Sequence, residues 1–381
     1  MTFVSLTACL DRDKEMKRAH MHEQIFLQTT IAVVWDFDTT LIPGYMQTPL
    51  FKHFNVDEKV FWAEVNSLPD VYRSNGATLV SKDTVYLNHI LSYVRAKVFP
   101  GLNNAKLKEL GGAIQFYDGL PEFFNLVRES VASNTTFRKH EVGVEHYIVS
   151  TGLRPMIEGS AIHRFVDGIW ASEFVEGSPG PGYLKNPQAN LFEGPRVISD
   201  IAYALDHTSK TRAIFEINKG TNKIREIEVN SDIALERRRI PFQNMIYVAD
   251  GPSDIPCFST INHFGGKTFA VYRPKSEAEF EKAYQLQKQH RVQAFGEADY
   301  RPGSQASMWI QRAVRDIAER IVRDRTRALS DDLGQPPGHV IERPAAAQPS
   351  TARPTDEAGP PKKLPAAADE GASASRVISE R

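Results

Sequence analysis

Four carboxylates in this chain are spaced so that they can meet. Asp36 and Asp38, in the run Asp36-Phe37-Asp38-Thr39-Thr40, follow the apolar stretch 31–35, and Asp250 and Asp254, in Asp250-Gly251-Pro252-Ser253-Asp254, follow the apolar stretch 245–249. If both stretches are strands of one sheet, the pairs stand at carboxyl ends, where open α/β sheets bind their ligands. Four carboxylates facing one crevice raise one another's pKa unless a cation lies among them, and an all-oxygen donor set suits Mg²⁺. Each pair taken singly also has an ordinary reading, because Asp and Thr end strands and cap helices.

Two further groups suit an anion. Ser150, Thr151 and Gly152 close a third apolar run, and hydroxyls beside a glycine amide are fitted to phosphate oxygens, although the same residues make an ordinary strand-to-helix cap. Lys210 follows Thr208 and Ser209 at the start of what reads as a helix. The helix dipole disfavours a cation there unless an anion is near, which a phosphate and the carboxylates would supply. Nearby Lys219 is a rival for that role, and a solvated surface position is the ordinary alternative for Lys210.

The elements that must position these groups are legible as periodicity. Runs 31–35, 146–150, 245–249 and 268–272 read as buried strands. Helical stretches at 121–130, at 210–219 ahead of Gly220, and at 276–289 alternate with them. This alternation predicts an α/β fold, a Rossmann-like doubly wound parallel sheet. Residues 44–118 break the rhythm: Leu87, Ile90, Leu91 and Val94 form a helical stripe, so this segment reads as a helical insertion. The Gly/Pro-rich stretch 176–183 reads as a loop or hairpin tip. Ile310, Val314, Ile317 and Ile321 predict a last amphipathic helix ending near Arg327. Beyond it the composition turns to Pro, Ala, Gly and Ser without aromatic residues, which predicts a disordered tail.

Composition narrows the classes. With 381 residues and 41% hydrophobic content the chain can bury a sizeable core. Its 46 Lys and Arg nearly cancel 47 Asp and Glu, so no global basic field exists to hold a nucleic-acid backbone. Two cysteines far apart, Cys9 and Cys257, argue against a disulfide framework and for a reducing, cytoplasmic setting. No apolar run of about 18 residues is present to span a bilayer. Residues 1–30 lack the basic start of a signal peptide and read as a leader of unknown role.

In chain order, Asp36-x-Asp38-x-Thr40, Ser150, Lys210 and Asp250-x-x-x-Asp254 resemble the four signature motifs of the haloacid dehalogenase-like superfamily, over residues 31–272. The insertion after the first motif resembles the helical cap of its phosphoserine-phosphatase-like branch. The resemblance implies a core of residues 31–43 and 119–327 with a cap of residues 44–118, and the shift in composition leaves residues 328–381 as the disordered tail. It implies a Mg²⁺-dependent phosphatase in which Asp36 is the nucleophile and Asp38 the acid and base. Asp36, Asp38 through its backbone carbonyl, Asp250 and Asp254 would hold the metal. Lys210 would offset charge, and Thr40, Ser150, Thr151 and Gly152 would bind phosphate. A second Asp in the first motif favours phosphatase or phosphomutase chemistry over that of relatives lacking it.

Two departures stand out. Ala249 replaces a Gly common before the third Asp, small for small. The stretch 41–56 has no acidic residue, and Tyr45 falls near where phosphoserine phosphatases place one for the substrate amine, which demotes phosphoserine. A small phosphorylated metabolite is the expected substrate, contacted by some of His53, Trp62, Tyr86, His89, Tyr93 and Arg95. A phosphotransferase or phosphomutase, and a non-catalytic binding module with a recruiting tail, are the alternative readings.

Overall fold

The computed structural model describes residues 27–177, 181–185, 196–224 and 226–332. Of the expected leader (1–30) and tail (328–381), residues 1–26 and 333–381 lie outside the described residues, whereas residue 30 already belongs to the first strand and residues 328–332 to the last helix. Strand β1 (Thr30–Trp35) is followed by four helices, α1 (Thr48–His53), α2 (Glu58–Ser74), α3 (Lys82–Arg95) and α4 (Asn104–Gly111). Helices α5 (Glu122–Ala132) and α6 (Thr135–Lys139) lead to β2 (Gly143–Leu153), α7 (Arg154–Gly159), β3 (Gly168–Glu176) and β4 (Ile198–Tyr203). The chain continues as α8 (Ser209–Lys219), β5 (Met245–Ala249), α9 (Ile255–His263), β6 (Lys267–Tyr272), α10 (Glu277–Lys288), β7 (Ala294–Glu297) and α11 (Gln305–Asp332).

Among the described residues the strands form one seven-stranded sheet in the order β4-β3-β2-β1-β5-β6-β7. Every pairing is parallel except β3 with β4, which is antiparallel. The expectation of a parallel sheet thus needs one correction at its edge. In β4 only Ile198 is buried, so its sequence carries no buried-strand signal. Strands β3 and β7 also escape the periodicity reading: β3 mixes buried with half-buried positions, and β7 has only four residues. The Gly/Pro-rich stretch leaves the end of β3 toward its antiparallel partner, and part of that connection lies outside the described residues.

The central strands are the most apolar because helices cover both faces of the sheet. Alternate residues of β1 point to opposite sides. Ile31, Val33 and Trp35 join the core on one side, whereas Ala32 and Val34 join the core on the other. The first core includes Ile310, Val314, Ile317 and Ile321 of α11, all buried as the sequence stripe predicts, although the helix runs on to Asp332. The second includes Ile214 and Ile217 of α8, which ends at Gly220 with φ +83°. That left-handed turn is one glycine adopts at little cost.

Residues 44–118 are helical and contain no named strand. Asp57, Ser81 and Asn103 cap α2, α3 and α4 by accepting from Lys59, Thr84 and Lys106 amides, satisfying donors a helix start leaves open. Phe51, Phe61, Leu87, Ile90 and Phe99 bury in the same core as Trp35. The Phe51 and Phe61 rings lie 4.7 Å apart.

Candidate active site

Sheet order decides where the carboxylates meet. From β1 the chain builds outward through β2, β3 and β4, then crosses back to lay β5 on the other flank of β1. Strands β1 and β5 therefore border the topological switch point, where a crevice opens at the carboxyl ends. Their register pairs Trp35 with Val248, and the Asp36 amide donates to the Val248 carbonyl at 2.9 Å. Asp36 and Asp250, each the next residue after its strand or one beyond this pair, open into one crevice. Carboxylate oxygens of Asp36, Asp250 and Asp254 all lie within 4.8 Å of one another.

Lys210 bridges two of them. Its Nζ donates to Asp36 Oδ1 at 2.9 Å and to Asp254 Oδ1 at 2.8 Å, with the lysine almost wholly buried. The lysine reaches this place from the first turn of α8, whose start is capped by Asp206 accepting from the Thr208 and Ser209 amides. Asp254 is further engaged by the Tyr247 hydroxyl at 2.6 Å and the Ser253 hydroxyl at 2.7 Å. Lys219 instead donates to the Val229 and Ser231 carbonyls, so geometry selects Lys210 from the two candidates. Burial, desolvating the ammonium, opposes its charge, but the two carboxylates outweigh that and push Lys210 upward.

The loop after β1 folds back tightly. Thr39 takes φ +55°, its amide donates to the Gly44 carbonyl, and the Met46 amide donates to Asp38 Oδ1 at 2.8 Å. Met46 is locked in turn to the end of β2, where its Sδ accepts from the Leu153 amide at 3.0 Å. A Cβ on Gly152 would meet Met46 Cε at 2.2 Å. A side chain at this position would have to displace the Met46 thioether that anchors the loop to β2.

Burial dominates the electrostatics. It pushes the Asp36 carboxyl well above the usual range, Lys210 opposing and Asp254 and Asp250 reinforcing. It pushes Asp38 up to about 7, against the Met46 amide. It raises Asp250 to about 6, with Asp254 adding. The neutral and charged forms of Asp38 are thus close in free energy near neutral pH, the condition for a group that gives and takes a proton. Three converging carboxylates, all oxygen donors, also fit a hard divalent cation.

A cavity of about 1080 Å³ rises from these groups. Asp36, Asp38, Lys210 and Asp250 line it with Thr151 and Gly152, and so do Trp62 of α2 and Tyr86 of α3. Thr40 and Ser150 are buried behind this wall. The Thr40 Oγ1 has no hydrogen-bond partner among the described residues while its carbonyl accepts from Tyr300, and the Ser150 Oγ accepts from the Gly152 amide. Among the six expected contacts from the insertion, only Trp62 and Tyr86 reach the cavity. His89 and Tyr93 bind Glu64 instead. Sequence reading missed Gln47, Ser253, His207 and Arg273 in the wall and Tyr247 beneath it. Arg273 had an available signal, since it directly follows β6 at the same end of the sheet.

No family model matches the chain. It is 37% identical over 290 residues to an uncharacterized protein of Borreliella burgdorferi, spanning 75% of this chain and 97% of that protein. The chain belongs to that protein's family. Its fold is similar to that of a probable phosphoserine phosphatase from Vibrio cholerae (TM-score 0.42, 14% identity, 81% of this chain and 73% of that one). It is similar also to a HAD-family hydrolase from Salmonella enterica serovar Typhi (TM-score 0.40, 12% identity, 72% and 75%). Among the described residues no helix is long and apolar enough to cross a membrane.

Proposed function

We propose that this protein is a Mg²⁺-dependent phosphohydrolase of the haloacid dehalogenase-like type, acting on a small phosphorylated metabolite through an aspartyl-phosphate. The observation that carries this reading is the Lys210 bridge between Asp36 and Asp254 beside Asp250, with Asp38 in the same cavity. One cation and several carboxylates around the same point suit the transfer of a phosphoryl group.

Asp36 attacks phosphorus, forming an acyl-phosphate (mixed anhydride) bond as the bond to the leaving oxygen breaks. Asp38, raised to about 7, gives its proton to that oxygen. The resulting Asp38 carboxylate then takes a proton from the water that attacks phosphorus, freeing phosphate and restoring Asp36. Asp36, Asp250 and the Asp38 carbonyl, with Asp254 beside them, would hold Mg²⁺, which when bound offsets charge on the phosphoryl group. Lys210 holds Asp36 in place and adds a fixed positive charge. Thr151 and Gly152 receive the phosphate oxygens; Thr40 and Ser150 shape the loop and strand end behind them. Residues 44–118 serve as a cap over the substrate, limiting it to a small molecule.

The test is release of inorganic phosphate from a panel of phosphometabolites with Mg²⁺ or EDTA, for the wild type and Asp36→Asn. Mg²⁺-dependent release abolished by the substitution is expected. Release that persists in Asp36→Asn would overturn the assignment of the nucleophile, and none from any compound would overturn the activity.

A further inference from the structure

The cavity is much roomier than a phosphate requires. Its volume of about 1080 Å³ lies at the top of the usual range for small-molecule sites, ~300–1,000 Å³. The group attached to phosphorus therefore has space well beyond two or three carbons.

One wall of that space is aromatic. Tyr45 and Trp62 both line it, with ring centroids 5.1 Å apart and planes at 45°, and Trp62 lies 6.0 Å from Tyr86. Trp62 is held in place: its Nε1 donates to Glu58, which also accepts from the Thr48 hydroxyl. Tyr45 remains half exposed at 51%. Its ring lines the same cavity as Asp36, Asp38 and Asp250, and burial, then the charges of Asp38 and Asp250, push its hydroxyl upward. A held indole backing a half-exposed phenol offers a flat face to a flat partner.

Gln47, two residues along the same loop, also lines the cavity. It is only 2% exposed, and its side-chain Oε1 accepts no hydrogen bond from the described residues. A buried acceptor without a donor is costly to the folded protein, and a ligand donor removes that cost.

We propose that the substrate's leaving group carries a flat aromatic ring that stacks on Tyr45 against Trp62, and an N–H or O–H that donates to Gln47. This rests on the phosphohydrolase reading and names its substrate class, a heteroaromatic or nucleoside-like phosphomonoester.

The experiment compares kcat/KM of the full-length protein with Mg²⁺ within two matched pairs. Benzyl phosphate and cyclohexylmethyl phosphate differ in flatness, and adenosine 5′-monophosphate and ribose 5-phosphate share a leaving hydroxyl but differ by the base. The aromatic member of each pair is expected to be favoured by about tenfold, as a well-formed ring contact allows, and Tyr45→Leu brings the ratio toward one. Gln47→Leu is expected to reduce hydrolysis of adenosine 5′-monophosphate about tenfold more than that of benzyl phosphate, which offers no donor. Equal rates within the pairs, or a preference that survives Tyr45→Leu, overturns the ring contact. A uniform loss in Gln47→Leu overturns the Gln47 contact. Acetyl phosphate, small and already activated, separates the two levels of inference. If it is hydrolysed in an Asp36-dependent way without any aromatic preference, only the substrate class fails; if it too is untouched, the phosphohydrolase reading fails.

Discussion

Lys210 and Asp36 lie 174 residues apart in the chain and meet at 2.9 Å in the protein interior, the lysine side chain 2% and the aspartate 8% exposed. A buried pair of this kind costs desolvation on both sides and is retained where its geometry matters. Replacing Lys210 by Met leaves crowded carboxylates without their cation. Urea unfolding of Lys210→Met is expected to show a loss of about 3–5 kcal/mol, the usual consequence of breaking a buried pair from one side. Phosphate release should fall by a factor of ~10² to 10³. A variant as stable and active as the wild type would remove Lys210 from the site.

Asp250 makes the opposite prediction. Its carboxyl, raised to about 6 by burial and then by Asp254, is tolerated in the folded state at the expense of repulsion. Asp250→Asn should therefore match or exceed the wild type in Tm when EDTA is present. Added Mg²⁺ should raise the wild-type Tm, since a ligand held at a hundred times its Kd contributes about 2.7 kcal/mol. That rise should disappear in Asp250→Asn. An equal Mg²⁺ response in both proteins, followed by calorimetry, would show that Asp250 holds no metal.

His146 should give stability a pH dependence unrelated to catalysis. It is fully buried, with Nδ1 accepting from Trp35 Nε1 at 3.2 Å and Nε2 paired to the Phe124 carbonyl at 3.1 Å. Both nitrogens are thus used by the neutral ring. Burial, then the Arg128 charge, lowers its pKa from 6.5 to about 3. Between these values the unfolded chain binds a proton that the folded protein refuses, so stability falls as pH drops below 6.5 and this contribution levels off near 3. Above 6.5 the ring is neutral in both states and contributes no slope. From pH 7.5 to pH 5 the loss from this group is about 2 kcal/mol. Urea midpoints of wild type and His146→Gln at the two pH values check this: the variant should lose less on acidification, and equal losses would count against a neutral buried ring.

Gly159 tests the packing of α4 on α7. A Cβ there would lie 1.7 Å from the Lys108 carbonyl oxygen, and one on Gly111 would lie 2.1 Å from that of Met156. Backbone cannot yield as a side-chain tip can, so Gly159→Ala should destabilise by at least about 2 kcal/mol through overpacking. Gly143, whose added Cβ would meet nothing within 4 Å, is the control, and its alanine variant should stay within about 0.5 kcal/mol. Similar Tm values for the two variants would contradict the close approach.

The sequence by itself determined the residues of the carboxylate site and the strands that carry two of them. Runs such as 31–35 and 245–249 are apolar throughout because both faces of a central parallel strand are covered, and each ends in Asp. Periodicity likewise disclosed α11 and the stripe of α3, since a helix with one buried face leaves a 3.6-residue record. Short and half-buried strands leave none, which is why β4, β7 and the antiparallel edge were illegible.

Tertiary structure alone decided the rest. Lys210 and Lys219 are equivalent as letters, and only the packing of α8 against the sheet turns one toward Asp36 and the other toward the Val229 and Ser231 carbonyls. Thr39 and Thr40 are neighbours, yet the left-handed turn at Thr39 puts one in the cavity wall and buries the other. The pairing of Tyr45 with Trp62 and the unmet acceptor of Gln47 arise where the loop after β1 faces α2. Local sequence sets which residues end a strand or line a helix face, because backbone geometry repeats over a few residues. Which of those side chains share a crevice depends on crossings of a hundred residues or more, and that is settled by how the layers pack.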